Sequence, residues 1–132
     1  MPERTLSGFR PLVVVIEDDA GERLAIGRLL HAGGFAPAPY ASAEEFLAAP
    51  PAEVPLCLLL DIHLRGMTGL ELQDYLRAQG STVPIIMITA SDDRRLQARA
   101  EASGCTAFLR KPFESRVLLD TVRSRVPRQA SE

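Results

Sequence analysis

Three short apolar runs, each closed by a polar side chain, constrain this chain more than any other feature. They are Leu12 to Ile16, followed by Glu17-Asp18-Asp19; Leu56 to Leu60, followed by Asp61; and Pro84 to Ile88, closing on Thr89. None alternates with polar residues, so the pattern predicts strands buried on both faces of a parallel sheet, not strands with one wet face.

The segments between these runs read as helices with their own stop signals. Leu24, Ile26, Leu29 and Leu30 are the apolar positions of the first, which Gly33-Gly34 ends. A weak strand is expected at Phe35 to Tyr40, where Pro37 and Pro39 restrict it to a sheet edge. Ser42 with Glu45 forms a capping box for a short helix through Phe46, Leu47 and Ala49, stopped by Pro50-Pro51. Thr68 with Glu71 forms another, opening a helix with apolar positions Leu70, Leu72, Tyr75 and Leu76 that Gly80 ends. Ser91-Asp92-Asp93 can cap a helix running to about Ser103. Ala107 to Leu109 is a short last strand, and the last helix, Glu114 to about Arg125, carries Val117, Leu118, Thr121 and Val122 on one face. Five strands alternating with five helices predict one doubly wound α/β domain over residues 11–126, with an N-terminal extension at 1–10 and a polar tail at 127–132.

Several classes fall away. The run Leu56–Leu60 is far short of the roughly 20 residues of a membrane span, and no charged start with an apolar core and cleavage site opens at Met1, so a cytoplasmic protein is expected. Cys57 and Cys105 match neither a disulfide framework nor a CxxC metal spacing and read as buried free thiols. Residues 1–93 hold six bases and thirteen acids, residues 94–132 nine bases and four acids, which hints at an acidic site and a basic contact face. That basic end is too weak a signal for nucleic-acid contact. Of the fifteen basic residues only Lys111 is a lysine.

In doubly wound sheets ligands sit at the carboxyl ends of the strands, beside the point where strand order reverses. Those ends are Glu17 and Asp18, Asp61, Thr89, and Lys111 just past the last strand. With strand order 2-1-3-4-5, strands one and three are neighbours and the three carboxylates converge. Crowded carboxylates raise the pKa of at least one unless a cation neutralises them, and hard oxygen donors with room for water suit Mg²⁺.

These residues resemble the receiver domains of two-component response regulators, a flavodoxin-like (βα)5 family. The likeness runs from about Leu12 to Arg125 and rests on the acidic pair after strand one, Leu-Leu-Leu-Asp61, Gly-Leu-Glu-Leu opening helix three, Met-Ile-Thr89-Ala90, and Phe108-Leu-Arg-Lys111-Pro112-Phe113. Tyr40-Ala-Ser-Ala-Glu-Glu-Phe-Leu is similar to the subgroup that often carries LuxR-type helix-turn-helix output domains.

The resemblance implies that Asp61 accepts a phosphoryl group from a phosphohistidine on a sensor histidine kinase. It implies Mg²⁺ held by Glu17, Asp18, Asp61 and the backbone carbonyl of His63. It implies that Lys111 and Thr89 contact phosphoryl oxygens, that Thr89 and Phe108 act as the switch, and that the peptide bond Lys111–Pro112 is cis. The surface of helix four, strand five and helix five would change on phosphorylation, serving a homodimer or a downstream partner or output domain that the sequence does not name. His63, Ser91 and Arg65 stand where phosphoryl lifetime is tuned. The family commonly has proline at the position of Arg65, and Glu17 replaces the more frequent Asp. The protein would be a regulatory switch that catalyses only its own phosphorylation and dephosphorylation. The alternatives are a phosphorylation-independent pseudo-receiver that binds proteins, or a phosphatase with an aspartyl nucleophile, although His63 stands where such enzymes carry a second Asp. A flavodoxin-like cofactor binder lacks its Gly-rich phosphate loop after the first strand.

Overall fold

The computed structural model describes residues 9–127. The expected N-terminal extension and tail lie mostly outside them. The chain alternates strand and helix throughout: β1 Leu12–Ile16, α1 Ala20–Ala32, β2 Ala36–Tyr40, α2 Ala43–Ala48, β3 Cys57–Asp61, α3 Gly69–Ala78, β4 Ile85–Thr89, α4 Arg94–Ala102, β5 Ala107–Arg110 and α5 Ser115–Arg123. All strands pair parallel in the order β2-β1-β3-β4-β5.

The period of two along each strand divides the apolar runs between two cores. Val14, Ile16, Leu58, Leu60, Ile85 and Met87 face α2, α3 and α4 through Phe46, Leu70, Leu72 and Ala100. Val13, Val15, Leu59, Ile86 and Ile88 face α1 and α5 through Ile26, Leu30, Leu118 and Val122. A strand with no solvent face needs no polar alternation, which is why the runs are continuous.

At the β2 edge, Ala36 N–H donates to the Pro11 carbonyl, so alternate residues of β2 turn their N–H groups towards β1. Pro37 and Pro39 occupy the alternate positions, where an N–H would face solvent. They leave the free edge without donors for another strand.

Some expected helix faces are narrower than the periodicity suggested. Leu24 is 55% exposed, Tyr75 45% and Val117 39%, so α1, α3 and α5 seat fewer apolar residues than expected. Gln73, between the buried Leu72 and exposed Asp74, is fully buried and donates from Nε2 to the Ala100 carbonyl of α4 at 3.0 Å. α4 buries only Ala100 and stops at Ala102, and α5 is shorter than expected at both ends. The Ser42–Glu45 box is half made: Ser42 accepts from Glu45 N–H, while the Glu45 carboxylate takes Ala41 N–H. Thr68 and Glu71 make both bonds. Cys57 is fully buried, its thiol pushed up to about 12 by burial, but Cys105 is only half-buried. No helix among the described residues is long and apolar enough to cross a membrane.

Candidate functional site

Register places the polar strand ends together. β1 ends at Ile16 beside Leu60, so Glu17 and Asp61 follow on adjacent strands, and Asp61 lies beside Ile88, one residue before Thr89. Lys111, beyond β5, donates its backbone N–H to the Thr89 carbonyl at 2.7 Å. Its side chain then crosses the ends of the central strands.

The Lys111 ammonium is the hub. Nζ lies 2.9 Å from Glu17 Oε1, 3.1 Å from Asp61 Oδ2 and 2.5 Å from Glu22 Oε1. Side-chain exposure is 18% for Lys111, 3% for Glu17 and 8% for Asp61, so two of these pairs are shielded from water. Burial pulls the Lys111 pKa down, but hydrogen bonds to Glu22, Glu17 and Asp61 outweigh it and hold it above the ordinary lysine value. Glu17 is pushed up to about 7, first by burial and further by the Asp61 charge, against the lowering effect of Lys111 and of Asp19 N–H. The expected rise in a carboxylate pKa is present, but burial contributes more to it than crowding.

Asp61 is held at both oxygens: Oδ1 accepts from His63 N–H at 2.8 Å and Oδ2 from Lys111. Asp18 is bonded to a different cation. Its Oδ2 accepts from both the backbone N–H (3.1 Å) and Nε (3.3 Å) of Arg65. Among the described residues no three acidic, His or Cys side chains are gathered closely enough to hold a metal as they stand. Two of the chain's own cations hold these acids instead, Lys111 across Glu17 and Asp61, and Arg65 on Asp18. The donor types fit a hard divalent cation: three carboxylates at the ends of the adjacent strands β1 and β3, and a His63 carbonyl to which no described residue donates.

Thr89 is fully buried, and its Oγ1 accepts from Ser91 N–H at 3.0 Å, while Ser91 Oγ accepts from Asp93 N–H at 3.1 Å. This chain of short turns leads from Thr89 to the N-cap of α4. Phe108 pairs with Met87 and packs half-buried on the core beneath α4, lining a groove with Ser91, Arg94 and Arg110. Neither Thr89 nor Phe108 touches Asp61 through a hydrogen bond. The loop carrying His63 and Arg65 is pinned where Met67 N–H donates to Glu44 Oε2 at 2.8 Å. The peptide bond Lys111–Pro112 is cis.

Glu22 is the residue that sequence reasoning missed. The signal was present: a capping-box spacing, Asp19-x-x-Glu22, directly after the acidic strand end, in a chain with a single lysine.

Residues 13–123 match the family model of the response regulator receiver domain. Nodulation protein W of Bradyrhizobium diazoefficiens is 36% identical over 89% of this chain and 52% of its own length. The transcriptional regulatory protein FixJ of Azorhizobium caulinodans is 35% identical over 91% of this chain and 57% of its own length. The chain thus spans about half the length of the curated relatives it matches. A response regulator receiver protein from Burkholderia phymatum superposes with a TM-score of 0.76 at 42% identity, covering 88% of this chain and 94% of that one. Fold, strand order and sequence agree, and the chain belongs to the response regulator receiver domain family.

Proposed function

We propose that this receiver takes a phosphoryl group onto Asp61 from the phosphohistidine of a sensor histidine kinase. The observation that carries the reading is the only lysine of the chain set with its ammonium on Asp61 and Glu17, at the carboxyl end of the sheet. An Asp61 carboxylate oxygen attacks phosphorus, the P–N bond breaks, and its electron pair leaves with the imidazole nitrogen, which takes up a proton. The product on this chain is an acyl phosphate.

Glu17, Asp18, Asp61 and the His63 carbonyl would hold Mg²⁺. Bound there, the ion offsets repulsion between a carboxylate nucleophile and an anionic phosphoryl group. Lys111 gives a point charge to one phosphoryl oxygen, and Thr89 gives its hydroxyl to another. For that, the Thr89 hydroxyl must turn its proton to the phosphoryl oxygen, a movement that bears on its contact with Ser91 N–H. The Ser91–Asp93 turn carries that change to α4, while Phe108 repacks beneath it, a shift of population between two packings. The face of α4, β5 and α5 is then the output, towards a second copy, a partner or an output domain. His63, Ser91 and Arg65 flank the site and set phosphoryl lifetime. The working unit is residues 11–126, cytoplasmic, with no membrane or nucleic-acid contact, and with no catalysis beyond its own phosphorylation and hydrolysis.

An acyl-phosphate donor with Mg²⁺ should add one phosphoryl group, read by intact mass. Chelation of the metal and Asp61→Ala should each abolish it. No adduct on the wild type would leave the domain a phosphorylation-independent binding module, and an undiminished adduct on Asp61→Ala would refute the site.

A further inference from the structure

Three helices of this chain open with the same spacing of capping residues, and α3 and α1 use it differently. At α3, Thr68 accepts from Glu71 N–H and the Glu71 carboxylate takes Thr68 N–H in return, at 3.2 and 3.0 Å. At α1, Asp19 Oδ1 accepts from Glu22 N–H at 2.8 Å, but the return bond is absent. Asp19 N–H, the donor a glutamate at this position would take, goes to Glu17 Oε2 at 3.1 Å. The Glu22 carboxylate is left without its local partner and reaches Lys111 instead.

An ammonium has three N–H donors. Those of Lys111 are directed at Glu17, Glu22 and Asp61, so none is spare for a phosphoryl oxygen. Glu17 is buried, and Asp61 is the group to be modified. Glu22, with a side chain 47% exposed, is the acceptor that water can resolvate when it lets go.

We infer that Glu22 is a positioning residue that holds Lys111 in the resting site and competes with the phosphoryl oxygen for one of its N–H donors. This rests on the receiver reading above. It makes the strength of phosphoryl binding depend on a side chain that touches neither the phosphoryl group nor the metal.

Because the chain has one lysine, lysine-selective ¹³C,¹⁵N labelling yields a single lysine side-chain signal. In metal-free protein Glu22→Gln should move that signal, while Glu71→Gln, which removes a carboxylate from the closed box, should leave it in place. With saturating Mg²⁺, beryllofluoride should bind Glu22→Gln about two- to fivefold more tightly than wild type, the scale of a half-exposed ion pair. Glu22→Asp, which keeps the charge, should return the affinity towards wild type. An unmoved lysine signal, or beryllofluoride affinity unchanged or weakened in Glu22→Gln, overturns the inference. Should wild type bind no beryllofluoride, the receiver reading and the competition both fall. The metal-free lysine signal then still decides whether Glu22 holds Lys111.

Discussion

Replacing Gly69 by alanine puts a methyl group where the backbone of Asp61 already lies. A Cβ there would stand 2.3 Å from the Asp61 carbonyl oxygen, 2.9 Å from Ile62 Cα and 3.0 Å from the Asp61 carbonyl carbon. All three are main-chain atoms, so no side chain can rotate aside. Ordinary contact begins at 3.4 Å, so α3 or the end of β3 must move by about 1 Å. Overpacking of this kind costs about 1–3 kcal/mol, of which alanine's better helix propensity returns about 0.5–1. The net loss of roughly 1–2 kcal/mol should lower Tm by roughly 3–8 °C. If the end of β3 yields, Asp61 is displaced from Lys111, and a misplacement of about 1 Å lowers the rate of a positioned reaction roughly 10²-fold. The assay pairs thermal unfolding with the initial rate of mass gain from an acyl phosphate, at a temperature where the variant is fully folded. Unchanged Tm would refute the packing argument. Lost stability with a wild-type rate would show that α3 alone gave way, refuting the claim that this glycine positions the acceptor.

Gly27→Ala, in the middle of α1, is the contrast: its Cβ would meet Pro37 Cβ at 3.9 Å, so chemical denaturation should show a gain of about 0.5–1 kcal/mol, and a loss would contradict the packing. Arg65→Ala frees Asp18, so calorimetric titration should give about two- to fivefold tighter Mg²⁺ binding at low salt, the gap closing as ionic strength rises. Equal affinities would mean that Arg65 exerts no hold on the acid. Lys111→Arg keeps the charge but spreads the donors over a planar fork, and losing one charged hydrogen bond should slow phosphorylation by about 10–100-fold; a silent substitution would remove Lys111 from the site. Thiol titration of native protein should modify Cys105 first, with Cys57, buried and pushed up to about 12, reacting only on unfolding.

The sheet was legible because parallel strands covered on both sides must be apolar at every position. Leu12–Ile16 could not have been confused with a half-exposed strand. The ends of those strands were legible for a related reason, since an apolar run that stops at Asp61 or Glu17 marks where the core gives way to a polar cluster. Helix faces were read less well. Leu24, Tyr75 and Val117 fit the helical period yet are exposed, because the sheet offers each helix a narrower strip than periodicity alone suggests. The roles of Glu22 and Gln73 were invisible for a deeper reason. Glu22 turns to Lys111 only because Glu17 has taken Asp19 N–H, and Gln73 is buried only because the Ala100 carbonyl waits on another helix. Such roles come from partners distant in sequence, and no local pattern encodes them. The hold of Arg65 on Asp18 was hidden likewise, since the two lie 47 residues apart.

The central claim is that Asp61, and no other acid of this cluster, carries the phosphoryl group. Phosphorylation by an acyl phosphate with Mg²⁺, followed by borohydride reduction and peptide mapping, reads the modified carboxyl directly. Reduction is expected at Asp61 alone, dependent on Mg²⁺. Reduction at Glu17, Asp18 or Glu22, or none anywhere in the chain, would contradict it.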